Sequence, residues 1–362
     1  MVNDKKRGDI LKKRIDYIDI AKGIGILLMV IGHSLSEDSK LRSFIYLFHM
    51  PLFFFISGVV FNELYFQDTK ALIKSKLKGL WYPFIKYSII FIFLHNLFVS
   101  FHIFENQGVT AYYNIISIIK NIIRALFFMQ TDWLLCQLWF LWILFLSEVV
   151  FGFLGNFIAR ITKENFNKIL GLVCFLFFLI GMFLSIKEIK LPNRISTFFV
   201  SIFFIYLGYM YSKIKEKIQY RVGIFLIVLS ILLISSIDIK IAMVDNYYSN
   251  HLLFLPLSLM GIYIIFYISI NLKKNKILKN IFSYLGRNTL IILALHFLCF
   301  KIVTFSQILF YRKSLKLLSN TILYSNGIWW ICYSVVGILI PLVINKVCIN
   351  LKNIIVNNTK KV

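Results

Sequence analysis

Runs of about twenty apolar residues alternate along this chain with short polar stretches. A helix needs about 20 such residues to cross roughly 30 Å of hydrocarbon. The pattern predicts spans near 17–35, 44–62, 81–101, 134–155, 169–186, 194–212, 221–237, 250–271, 287–308 and 321–345. The expected fold class is all-α integral membrane, with about ten transmembrane helices. The stretch 112–129 differs. Lys120 and Arg124 lie one turn apart on an otherwise apolar helix, which fits an interfacial or re-entrant helix better than an eleventh span. No repeat of fixed period and no Gly/Ser-rich linker divides the sequence. It reads as a single transmembrane domain, 1–362, opening on a basic segment, 1–16, and closing on a tail, 346–362.

Composition agrees with this reading. Hydrophobic residues make up 59% of the chain and charged residues 15%, with mean hydropathy +0.79. A soluble domain holds about 45–50% apolar and about 25% charged residues, so membrane lipid must be the solvent for much of this surface. The net charge is +24. The basic residues form clusters between apolar runs rather than one stripe, which argues against nucleic acid as a partner. Most of the 40 Lys and Arg fall in 1–16, 62–80, 156–168, 212–222, 271–287 and 345–362. These segments share one side of a ten-span topology, and positive residues favour the inner side, so both termini are expected in the cytoplasm. Lys5 to Arg14 before an apolar run imitate a signal peptide. Asp16, Asp19 and Lys22 invade that run and no small-x-small site follows, so it reads as a retained first span.

Ionisable groups within spans suggest function. In the first span Lys22 and His33 are eleven residues apart, close to three turns, so they share a face about 16 Å apart along the axis. Asp19 lies one turn below Lys22 and could pair with it. Gly23, Gly25 and Gly32 leave room beside this stripe for a helix or a ligand. The competing reading is that Lys22 and His33 only snorkel to opposite interfaces. Further polar groups at depth are Glu148, Lys86, Lys301 and His296, with Asn288 two turns below His296. Glu148 is expected to pair with a cation, and His296 could serve interhelical hydrogen bonding. His49 opens the second span on the His33 side, while His95 and His102 read as interfacial. The five cysteines lack metal-ligand spacing, and HExxH and GxSxG are absent, so no metal site and no serine-hydrolase elbow are expected.

The first span, with a basic residue, ten residues and then histidine at Lys22 and His33, resembles the acyltransferase-3 family of bacterial membrane O-acyltransferases. The rest of the chain resembles that family in order. His49-Met-Pro-Leu-Phe-Phe-Phe-Ile-Ser57-Gly58 is similar to its second-helix signature and closest to the fucose 4-O-acetylase-like branch. Lys74-Ser-Lys76-Leu-Lys78-Gly-Leu-Trp-Tyr-Pro83 resembles its basic cytoplasmic loop. Leu138-Trp139-Phe140-Leu141 resembles its WFL motif, Leu191-Pro192 with Tyr206-Leu-Gly-Tyr209 its sixth-span region, and Ser283-Tyr-Leu-Gly-Arg-Asn288-Thr-Leu290 with His296 its late segment.

The resemblance implies acetyl transfer from cytosolic acetyl-CoA, a co-substrate rather than a permanently bound cofactor, to a hydroxyl of a cell-surface or lipid-linked sugar. The protein would then sit in a bacterial cytoplasmic membrane. Lys74, Lys76 and Lys78 would meet the CoA phosphates, although lysine lacks the bidentate fork of the family's arginines. The competing reading is that they are topology signals alone. The transfer needs a base for the alcohol proton. A neutral imidazole suits this, with His33 as base, Lys22 and Asp19 towards the donor, and His49 orienting His33 or the acceptor. Ser57, Trp139, Glu148, Asn288 and His296 are substrate or structural polar positions. The esterase-like domain that trails some members is missing, which leaves room for a separate glycan-modifying partner protein. A glycan or solute transporter or flippase is the other functional class these buried charges allow, although no inverted repeat is visible. A sensing module is a further one.

Overall fold

The computed structural model describes residues 15–104, 112–129 and 132–359. The expected basic segment therefore lies almost wholly outside the described residues, as do the last three residues of the expected tail. The helices are α1 (Asp16–Ser34), α2 (Lys40–Tyr46), α3 (His49–Val59), α4 (Thr69–Lys76), α5 (Tyr82–Ser100), α6 (Ile115–Leu126), α7 (Trp139–Ile161), α8 (Phe166–Ile186), α9 (Ile195–Ile214), α10 (Val222–Ser235), α11 (His251–Leu272), α12 (Lys276–Arg287), α13 (Thr289–Phe310) and α14 (Trp329–Thr359). A two-residue ladder pairs β1 (Ile241–Ala242) with β2 (Tyr247–Tyr248) antiparallel.

Among the described residues, nine helical stretches are long and apolar enough to cross a bilayer. With almost no sheet beside them, these stretches are those of an all-α membrane protein. Most expected spans fall where the apolar runs placed them. The expected span 221–237 is the exception, because α10 has only 14 residues. At about 1.5 Å per residue it reaches roughly 21 Å, short of the roughly 30 Å of hydrocarbon. The chain turns at Ser236, whose hydroxyl donates to the Leu233 carbonyl. The 239–249 hairpin then folds over the ends of α8 and α9, where Thr197 donates to the Met243 carbonyl and Asn246 to the Gly181 carbonyl. The last expected span begins later than predicted, at Trp329, and its helix runs through the expected tail to Thr359. Segment 112–129 contains the 12-residue α6, too short to span.

α1 is central. It packs against α3, α11, α12, α13 and α14, and Ile20, Ala21 and Val30 are fully buried. Lipid is as apolar as leucine, so helix association in a bilayer depends on close packing and interhelical hydrogen bonds rather than on a hydrophobic gain. Two glycine pairs show this. A Cβ at Gly58 would meet the Ile205 carbonyl, and one at Gly208 would meet the Phe55 carbonyl, so α3 and α9 touch backbone to backbone. Gly23 on α1 and Gly286 on α12 make the same reciprocal contact, against the Phe282 and Asp19 carbonyls. Sequence alone placed α12 in a loop. It is an amphipathic helix locked onto the Lys22 half of α1.

Candidate functional site

Two cavities lie along the polar stripe of α1. The larger, of about 480 Å³, is lined by Asp19 and Lys22 from α1, Phe53 and Ser57 from α3, Phe140 from α7, and Arg287, Thr289 and Leu290 at the α12–α13 junction. The smaller, of about 60 Å³, is lined by His33, Gln137, Trp139 and the same Phe53, Phe140, Thr289 and Leu290. One set of four side chains therefore separates the Lys22 chamber from the His33 chamber. Phe53 and Phe140 pack tilted, with ring centroids 5.8 Å apart. The two chambers lie in series along α1, spaced by the three turns between Lys22 and His33.

His33 stands among aromatic and imidazole rings. Its Nδ1 is 3.4 Å from the Tyr46 hydroxyl. Its ring lies 5.4 Å from that of His296 and 5.1 Å from that of Phe297. His296 is fully buried. Its Nδ1–H donates to the Ile292 and Leu293 carbonyls at 3.0 and 2.9 Å. This assigns the neutral tautomer with a bare Nε2, and that atom is buried with no hydrogen-bond partner. An unsatisfied buried acceptor costs about 1–3 kcal/mol, so the site is set to receive a donor. His49 is also buried. Its Nδ1–H donates to the Ile45 carbonyl at 3.1 Å, and its ring packs tilted against Tyr46, with centroids 4.7 Å apart. It thus touches His33 only through Tyr46.

The other expected positions divide between the chambers and the scaffold. Trp139 lines the His33 chamber. Glu148 finds its cation in Lys76, at 2.6 Å, and also accepts from the Ser57 hydroxyl at 2.5 Å. Ser57 thereby ties this ion pair to the wall of the Lys22 chamber. Lys74 and Lys78 are exposed, whereas Lys76 turns inward across a π-helical segment, Leu77–Trp81, that joins α4 to α5. Asn288 lies away from His296. It donates to the Tyr284 carbonyl and accepts from Asn345, fastening α12 to α14. Lys301 donates to three carbonyls, of Leu318, Ser319 and Asn320. His95 is buried, stacked on Tyr113 and 4.0 Å from Asp132. Among the described residues no group of His, Cys, Asp and Glu is arranged to hold a metal ion.

Sequence reasoning missed four residues. Arg287 adds a second cation to the Lys22 chamber. Gln137 is buried in the His33 chamber, where it donates to the Leu134 and Leu293 carbonyls. A glutamine just before the Trp-Phe-Leu run was a visible signal. Tyr46 bridges His33 and His49, one turn ahead of the latter. The fourth, Arg194, caps Trp139 from outside. Residues 15–346 match the family described as an acyltransferase domain. No curated protein and no solved structure matches the chain.

Proposed function

The chain belongs to the acyltransferase-3 family, and from that membership we propose that it is a membrane O-acetyltransferase. It moves acetyl from cytosolic acetyl-CoA to a hydroxyl of a cell-surface or lipid-linked sugar. The observation that supports this reading is the pair of chambers sharing one partition, with the cations Lys22 and Arg287 in one and the His33 imidazole in the other. The His49-Met-Pro-Leu-Phe-Phe stretch supports the fucose 4-O-acetylase-like branch.

The topology proposed is ten crossings, with α10 as a short tenth span and both termini in the cytoplasm of a bacterial cell. Lys74 and Lys78 then face the cytosol, free to meet the CoA phosphates as point charges. The ion pair of Lys76 with Glu148 holds α4 against α7 and so fixes the mouth they flank. Lys22 and Arg287, with Asp19 beside them, form the cationic chamber for the pantetheine arm. The thioester passes the Phe53–Phe140 partition and reaches His33 near the outer face.

There His33 takes the proton of the acceptor hydroxyl while its oxygen attacks the thioester carbonyl. Gln137 already donates to two backbone carbonyls, so it fixes the wall of the chamber. His296, through its bare Nε2, receives a hydrogen bond from His33 or from the acceptor. His49 positions the Tyr46 hydroxyl against His33. CoA thiolate leaves on the donor side, and the proton on His33 returns to it or to water.

The test is acetyl-CoA binding and CoA-thiol release by purified protein in nanodiscs with a mixed glycan acceptor, wild type beside His33→Ala. Binding by both with thiol release only in wild type supports the reading. Failure of a folded wild-type sample to bind acetyl-CoA would sink it, and would favour a glycan transporter.

A further inference from the structure

Trp139 has two sides. One lines the His33 chamber, and the other lines a separate cavity of about 310 Å³ bounded by Phe84, Phe128, Leu191, Asn193 and Arg194. Arg194 lies 5.9 Å from the centre of a Trp139 ring. It donates one hydrogen bond, to the Cys136 carbonyl at 3.2 Å, and forms no ion pair among the described residues. A guanidinium carries five N–H donors, and Arg194 lines the cavity with most of them unused within the described protein. Among the described residues no acidic side chain lines that cavity.

The backbone presenting this arginine is itself unusual. Asn193 and Arg194 both adopt left-handed conformations, with φ of 49° and 62°. Two successive non-glycine residues rarely do so unless their surroundings enforce it, and such strain gathers at binding sites. Here the enforcement is visible: the Trp142 indole donates to the Asn193 carbonyl at 3.1 Å, holding the turn against α7.

We propose that this cavity is the acceptor subsite, and that it takes a sugar carrying an anionic group, phosphate or carboxylate. The sugar lies on the Trp139 face and the anion pairs with Arg194. This rests on the acyltransferase reading for its role but not for its chemistry. An aromatic face beside an unpaired, fork-shaped cation is the arrangement that recognises a glycosyl phosphate or a uronic acid. Trp139 then places a hydroxyl of that sugar at the entrance to the His33 chamber.

Binding without donor tests it. Full-length protein in zwitterionic nanodiscs is titrated with three probes: decyl glucosyl phosphate, glucose 1-phosphate and the neutral decyl glucoside. One anionic probe at least is expected to bind about tenfold or more tightly than the neutral one, and Arg194→Gln to erase that difference. Arg194→Lys is expected to keep part of it. Preference for the decyl ester identifies a membrane-borne acceptor, and equal binding of both anions a free one. Equal binding of charged and neutral probes, or an anion preference unchanged in a folded Arg194→Gln protein, overturns the proposal. Acetyl-CoA titrated into the same samples keeps the two claims apart, because its failure to bind would count against the acyltransferase alone.

Discussion

Replacing Lys76 by methionine strands a buried carboxylate. Glu148 is 4% exposed at its side chain and Lys76 16%, with Nζ and Oε1 2.6 Å apart. The same carboxylate oxygen accepts from Ser57, and that hydroxyl does not neutralise it. Removing one member of a buried pair costs about 3–5 kcal/mol, while replacing both by apolar groups of similar volume is often close to neutral. Glu148→Gln should cost less than Lys76→Met, because the partly exposed lysine can carry its ammonium to the interface along its apolar stem. The double variant Lys76→Met/Glu148→Met should recover most of the loss, giving a coupling of about 2–4 kcal/mol in the cycle. The assay is reversible unfolding in mixed micelles, followed by tryptophan fluorescence for wild type, both singles and the double. Additive single costs, or a Lys76→Met cost below about 1 kcal/mol, would refute the claim that this pair locks α4 to α7. The double variant should also keep wild-type affinity for acetyl-CoA, since Lys76 is assigned to the scaffold and not to the phosphates.

Lys74→Ala and Lys78→Ala should each raise the KM for acetyl-CoA with little change in kcat, and the effect should shrink as salt rises, because both side chains are exposed. Gly208→Ala should cost about 3 kcal/mol or more, since the new methyl would meet the Phe55 carbonyl and neither backbone can yield. Gly223→Ala, with open space around it, should be neutral or stabilising by up to about 1 kcal/mol in the same unfolding assay. Lys301→Met would leave three carbonyls without their donor, so hydrogen exchange should rise in 315–321 while α1 stays protected.

The spans were legible because a bilayer imposes a length and an apolar composition that any sequence must display. The Lys22–His33 stripe was legible for a related reason: charges are so costly at depth that their spacing on one helix stands out. What failed to show was whatever depends on two distant segments meeting. Glu148 plainly needed a cation, but only the packing of α4 on α7 reveals Lys76 as that cation. His296 and Asn288 looked like one motif, yet the helix that carries them turns Asn288 towards Asn345 and His296 towards His33. α12 was read as loop because its polar face hides a stripe that matters only once Gly286 meets α1. α10 looked like a full-length span, and the hairpin that shortens it is held by contacts to α8 and α9. Arg194 carried no signal in the sequence, and only its seat on Trp139 gives it a role.

The central claim is that donor and acceptor reach the partition from opposite faces. It is tested most directly in sealed proteoliposomes, with radiolabelled acetyl-CoA outside and an impermeant sugar acceptor trapped inside. The account predicts labelled acceptor within the lumen for wild type and none for His33→Ala. Labelled product that forms only when donor and acceptor share one compartment would contradict it.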